Sequence, residues 1–173
     1  IKDINYYNGL GSVYDRIERI DKISVMLKDI MGDDFKNLSN EKLKSIISMM
    51  KMDLGSSMVF EYPELQGIVG SYIAKNNGFD DDIVLAIREQ YYPESEISDF
   101  SCNPYSIIVA LADKVEKLVS FFNTGVSVSG SRDPLGLRRA VNSIIFIIDK
   151  FNLAINVNNL VSKSYEVLGY DKN

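Results

Sequence analysis

Apolar residues recur along this chain every three or four positions, the spacing of helices with one buried face. Val13, Ile17, Ile20, Ile23 and Leu27 form the first stripe, and Gly32 with Asp33-Asp34 ends it. Asn40-Glu41 starts a second helix carrying Leu43, Ile46, Ile47, Met50 and Leu54. Pro63 is expected in the first turn of a third helix, with Leu65, Ile68, Val69, Tyr72 and Ile73 on it and Asn76-Asn77-Gly78 as its stop. Asp80, Asp81 and Asp82 suit a helix N-terminus, where carboxylates cap free amides and match the helix dipole. Read instead as a cation site, they supply too few oxygen ligands from one helix start. Ile83, Val84, Ile87 and Tyr91 are placed on the helix they open. Residues 92–103, with Pro93, read as a loop. The next helix is expected over 105–122, with Ile108, Leu111, Val115, Leu118 and Phe122 on one face. Residues 123–130 read as an ordered loop or a short extended piece. Asp133-Pro134 has the form of a cap followed by a first-turn proline, and Leu137, Val141, Ile144, Ile145 and Ile148 continue that helix to Lys150. A last helix over 156–168 stops at Gly169. The pattern predicts an all-α fold: a single-domain multi-helix bundle over residues 1–173, with six or seven helices and no convincing strand pair.

Composition narrows the chemistry. The 173 residues are 46% hydrophobic and 25% charged, ordinary for a folded domain. No apolar run approaches the ~20 residues that span a bilayer, so no membrane partner is expected. There is no histidine, which removes imidazole from every proposed catalytic or metal-binding role. Cys102 is the only cysteine and has no imidazole base to activate it, so it reads as structural. A lone cysteine and an N-terminal Ile1-Lys2-Asp3 without an apolar signal region fit a cytoplasmic setting. The chain starts with Ile and is read as a piece of something longer. The net charge of −5 argues against nucleic-acid binding by bulk electrostatics but leaves room for a local basic patch.

Three polar strings could carry chemistry. Asp53 and Asp113 are read as carboxylates inside apolar helices, where such groups either find a cationic partner or form a site. Glu61 and Glu64 are three apart, and could share a helical face if Pro63 allowed one. Gln66-Gly67 suggests close backbone packing. Arg132, Arg138 and Arg139 bracket a helix start, and arginine's planar fork suits phosphate.

Lys51-Met52-Asp53-Leu54 and Ala112-Asp113-Lys114 resemble two steps of the HD-domain superfamily of metal-dependent phosphohydrolases. Met52 stands where that superfamily has histidine, and a thioether is a poor ligand for hard cations. The resemblance therefore implies a degenerate HD-like remnant built from Asp53, Asp113, Glu61, Glu64 and Lys51, with no metal and no catalytic residue. A lysine, Lys51 or Lys114, is expected between the aspartates in place of a cation. An active HD-type phosphohydrolase on nucleotides or phosphoesters is the alternative.

A more specific resemblance covers essentially the whole chain. Gly9-Leu10-Gly11-Ser12-Val13-Tyr14-Asp15-Arg16-Ile17-Glu18-Arg19-Ile20, Asp53-Leu54, Met58-Val59-Phe60-Glu61-Tyr62-Pro63-Glu64-Leu65-Gln66-Gly67, Ala110-Leu111-Ala112-Asp113-Lys114 and Asp133-Pro134-Leu135-Gly136-Leu137-Arg138-Arg139-Ala140 occur in the order found in the β subunit of bacterial two-subunit glycyl-tRNA synthetases. Met52, Tyr62 and Gly136 depart from the residues usual there. The resemblance implies an internal HD-like domain of a glycine–tRNA ligase. It would support recognition of glycine tRNA beside an α subunit and other β-subunit domains. ATP would be used at the α subunit, and no cofactor is expected in this domain. Arg132, Arg138, Arg139 and Lys114 become the expected contacts to tRNA phosphate. A pure interdomain scaffold is the remaining alternative.

Overall fold

Ser12 begins the main fold with a reciprocal cap. Its Oγ accepts from the Asp15 amide at 3.2 Å, and Asp15 Oδ2 accepts from the Ser12 amide at 2.7 Å. Helix α1, Val13–Ile30, follows and buries Ile17, Ile20, Ile23 and Leu27. The computed structural model describes residues 1–93, 99–126 and 133–171. Ahead of α1 lies a short antiparallel hairpin, β1 (Asn5–Tyr7) with β2 (Gly11–Ser12), in which Asn5 faces Ser12. The sequence pattern contained no such pair, because two and three residues are too few to show alternation. The hairpin is held by tertiary contact: the Tyr6 and Tyr7 rings lie 5.8 and 4.7 Å from that of Phe121.

Seven predicted helices appear, as α1, α3 (Asn40–Met49), α5 (Ile68–Asn76), α6 (Asp81–Glu89), α7 (Pro104–Asn123), α8 (Leu137–Lys150) and α9 (Val157–Leu168). Two short ones, α2 (Asp33–Lys36) and α4 (Ser57–Glu61), and two 3₁₀ turns, Met52–Gly55 and Pro63–Leu65, complete the described elements. Several starts follow the expected chemistry. Asp80 caps α6 by accepting from the Ile83 amide at 3.1 Å. Asn103 caps α7 through the Tyr105 and Ser106 amides, with Pro104 in the first turn. Asn156 caps α9, and Gly169 ends it in the left-handed conformation.

The central element is α7. It is buried on nearly every side, from Tyr105 to Glu116 without interruption, against α1, α6, α8 and α9. The expected single apolar face is therefore too narrow a description. Phe122, placed on that face, is exposed at the helix end. A helix apolar all round belongs in an interior, and Ile107-Ile108-Val109-Ala110-Leu111-Ala112 is such a run.

Three expectations need correcting. Helix α3 stops at Met49, so Leu54 and Asp53 lie in a 3₁₀ turn and not within an apolar helix. Pro63 opens a 3₁₀ turn, and α5 begins only after Gly67, whose φ of 79° breaks the continuity. Helix α8 starts at Leu137, because residues 133–136 form a turn closed by the Gly136 amide donating to the Asp133 carbonyl at 3.1 Å. Pro134 thus sits in a β-turn, which its fixed φ also suits. Residues 127–130 of the expected loop lie outside the described residues.

Candidate functional site

Asp113 and Glu116 project from α7 three residues apart, and Arg16 and Arg19 project from α1 with the same spacing. One turn of each helix therefore faces the other. Arg16 Nη2 donates to Asp113 Oδ1 at 3.1 Å and its Nε to Glu116 Oε2 at 2.8 Å. Arg19 Nε takes the other oxygen of Glu116 at 2.7 Å, and its Nη1 reaches the Leu10 carbonyl at 2.9 Å. Ser120 Oγ donates to Glu116 Oε1 at 2.9 Å. The tight turn after α3 carries Lys51 into the interior, where it is fully buried. Its Nζ lies 2.8 Å from Asp113 Oδ1 and 4.1 Å from the centre of the Tyr91 ring.

Asp53 belongs to the same buried group, since it adds attraction to the Lys51 charge, but its hydrogen bonds are to backbone. Oδ2 accepts from the Gly67 amide at 2.6 Å and the Gly70 amide at 3.3 Å. Gly67 is required there twice over: its φ is +79°, and a Cβ would stand 2.9 Å from the Arg88 carbonyl oxygen. The backbone packing expected from Gln66-Gly67 is thus α5 against the end of α6.

Burial would raise the Asp113 pKa, but Arg16, Lys51 and Lys114 outweigh it and hold the carboxyl below its usual range. Burial lowers Lys51 and Lys114 to about 8, against the pull of Asp113. Arg16 stays charged because Asp113 and Glu116 overcome its desolvation. Asp113 is thus committed to cations and Asp53 Oδ2 to amides, while Asp53 Oδ1 is buried without a hydrogen-bond partner. Among the described residues no three carboxylate or thiol groups converge in a way that could hold a metal, and Lys51 Nζ sits against Asp113 where a cation would have to bind. This donor set does not fit a divalent ion.

Beside the ionic knot runs an open groove of about 1010 Å³ between α7 and α8. Lys114, Lys117 and Arg139 line it together with Asp113 and Asp149, with Tyr91, Pro93 and Phe146 as apolar wall. Lys114 is only 7% exposed and lies at the floor, its Nζ donating to the Gln90 and Ala110 carbonyls at 3.2 and 3.4 Å. Lys117 and Arg139 both close on Gly136. A Cβ there would meet Lys117 Nζ at 3.0 Å and Arg139 Nη2 at 3.1 Å. Burial and the neighbouring cations Arg16 and Arg139 lower the Lys117 pKa. The Arg139 side chain is 79% exposed, with Nε 3.6 Å from Asp133 Oδ2. The start of α8 already holds an anion: the Asp133 carboxylate accepts from the Arg138 and Arg139 amides at 3.3 and 3.2 Å. An external anion would therefore meet side chains here, not helix-end amides.

The predicted residues divide accordingly. Lys51, Asp53 and Asp113 come together in the interior. Glu61 on α4 and Glu64 on the following turn are exposed and stand outside that group. Arg138 and Arg139 lie on α8, Arg138 also exposed, while Arg132 lies outside the described residues. Cys102 is exposed. Arg16 and Arg19 entered the sequence pattern only as members of the Gly9–Ile20 string, with no role assigned, and Glu116 and Lys117 were not singled out. Arg16 and Arg19 did leave a signal, since charges three apart beside the Val13, Ile17 and Ile20 stripe sit on the edge of a buried face. Lys117 left none, because only the packing of α8 brings Arg139 to it.

Comparison with known proteins adds the relationship. The glycyl-tRNA synthetase beta subunit family model matches residues 1–172. A glycine–tRNA ligase beta subunit of Thermodesulfovibrio yellowstonii is 40% identical over 165 residues, 95% of this chain and 24% of the relative. Those of Pseudomonas fluorescens and Phenylobacterium zucineum are 34% and 36% identical over 98% of this chain, covering 24% and 25% of the relatives. The chain thus spans about a quarter of the length of the curated relatives it matches.

Proposed function

The chain belongs to the glycyl-tRNA synthetase β-subunit family, and from that premise we propose that it is a non-catalytic, tRNA-facing helical module of a glycine–tRNA ligase. It folds as one HD-like domain of a longer cytoplasmic β subunit. Joining glycine to its tRNA with ATP takes place at the partner α subunit, and this module helps to hold the tRNA. The observation that carries the reading is the groove: Lys114, Lys117 and Arg139 line it against Asp113 and Asp149, a small cationic excess on a molecule whose net charge is −5. With Asp113 already engaged by Arg16 and Lys51, the exposed Arg139 and the neighbouring Lys117 are the cations left to place a phosphate backbone on an otherwise acidic molecule.

Arg139, exposed at the mouth, makes the first contact, with Arg138 beside it on α8. Lys117 and Lys114 set the positive potential of the floor. Asp53, Asp113 and Lys51 are the remnant of an HD-type site in which the lysine supplies the charge a metal would. Their role is structural, and the donor set supports no hydrolase.

The test is charging of glycine tRNA by the assembled α and β subunits. Lys117→Gln with Arg139→Gln should raise the KM for tRNA and flatten its salt dependence by about one unit of log-log slope per lost phosphate contact. Formation of glycyl-adenylate without tRNA should not change. Unaltered KM and salt slope in a folded double variant would refute this placement of the tRNA.

A further inference from the structure

The string from Met58 to Gly67 is left over by the groove and the ionic knot. In α4 only Val59 is buried. Phe60 and Met58 on α4 are 83% and 54% exposed and Tyr62, just past its end, is 57% exposed, so three large apolar side chains stand in solvent around this short helix. Isolated exposed apolar residues are ordinary, but here Met58 and Phe60 flank the buried Val59 on opposite sides, so the helix projects as a ridge with apolar flanks.

The segment is also rigid at its base. The Asp53 carbonyl accepts from the Ser56 amide and Oγ at 2.9 and 2.8 Å, while the Asp53 side chain accepts from the Gly67 amide at 2.6 Å. One buried aspartate therefore pins both ends of the 56–67 excursion. The Ser56 cap on Val59 and the close approach of Gly67 to α6 fix the rest. Side chains presented on a fixed frame lose little further entropy on binding.

We infer that α4 and its following turn form a docking knob for another domain of the same full-length β chain, one offering an apolar pocket rimmed by lysine or arginine. The inference rests on the reading that this chain is one part of a longer β subunit. Charge selects the partner's chemistry. Residues 52–74 contain Asp53, Glu61 and Glu64 and no lysine or arginine. The exposed Glu61 and Glu64 repel nucleic acid and match a basic rim. Size selects an intrachain source. Aromatic side chains bury roughly 150–250 Å² each, so this knob falls short of the ~1,000 Å² expected of a stable interface between separate chains. A tethered domain needs less, because the linker supplies an effective concentration in the millimolar range. About three quarters of the relatives' length lies beyond the matched portion and can provide that domain.

The experiment places the photo-crosslinking amino acid p-benzoylphenylalanine at position 60 of the full-length β chain, assembled with its α partner, with and without tRNA. The expected product is an intramolecular crosslink to a lysine- or arginine-rich peptide elsewhere in β, formed in both conditions. Its yield should fall severalfold when Glu61→Lys and Glu64→Lys are added. A crosslink to α, to a second β chain or to tRNA, or no crosslink at all, overturns the inference. A yield indifferent to the charge reversals overturns the basic rim. Neither outcome depends on tRNA charging, so a failure here and a failure of the groove assignment are told apart.

Discussion

Asp113 shows how one carboxylate can be tolerated inside a helical core. It meets Arg16 at 3.1 Å and Lys51 at 2.8 Å, with Glu116 three residues along sharing the load of Arg16 and Arg19. Removing one member of such a group is costlier than never having it, because the partners remain buried and uncompensated. Asp113→Ala, which strands Arg16 and Lys51, should destabilise by about 3–5 kcal/mol. Lys51→Met should cost clearly less, since the side chain keeps its shape, Arg16 still holds Asp113, and one desolvated charge disappears. Amide hydrogen exchange of α7 residues measures both losses, and an equal cost for the two variants would contradict this account. The sequence marks Asp113 as needing a partner but not which one. Lys51 is 62 positions away and Arg16 is 97 away, and pattern has no reach over such distances.

At the scale of elements, the seven long helices were legible because each shows several turns of apolar periodicity and most carry a recognisable cap. The short elements α2, α4 and the 3₁₀ turns were not, since four or five residues show no period and are stabilised by contacts instead of propensity. Their consequence is largest between α3 and α5, where the chain turns twice to bring Asp53 under the Gly67 and Gly70 amides. Two glycines allow this junction to be probed. Gly67 and Gly78 share a φ of +79°, yet a Cβ at Gly78 meets nothing while one at Gly67 meets the Arg88 carbonyl at 2.9 Å. Gly78→Ala should cost about 1 kcal/mol for the left-handed conformation alone. Gly67→Ala should cost more by the displacement of α5 from α6, together with faster exchange of the Gly70 amide. Equal effects would mean that α6 yields without penalty.

For the whole molecule, buried charge sets the response to pH. Lys51 and Lys114 titrate near 8 in the folded chain against an ordinary 10.5. Between those values the unfolded chain holds protons that the folded chain has released, so stability rises with pH from about 8 upward. Tyr6 and Tyr91 act in the opposite sense. Burial raises both above their ordinary 10, so above pH 10 the unfolded chain ionises first and stability falls. Stability should therefore peak near pH 10, and the rise above pH 8 should shrink in Lys114→Met. Hydrogen exchange corrected for its intrinsic pH dependence reads this directly, and a monotonic decline from pH 7 would be inconsistent with buried, charged lysines.

By itself the sequence determined the helical class, the order and approximate extent of the long helices, the exclusion of imidazole chemistry and the relationship to glycyl-tRNA synthetase β subunits. These depend on local periodicity, residue inventory and short linear strings, all of which are present before the chain folds. Tertiary structure alone decided that Asp53 pins a loop while Asp113 neutralises Lys51 and Arg16. It also decided that Glu61 and Glu64 face solvent beside exposed aromatics, and that Lys117 joins Arg139 in a groove. Those outcomes depend on which distant segments share the same few ångströms, and that is fixed by packing around α7 rather than by any pattern along the chain.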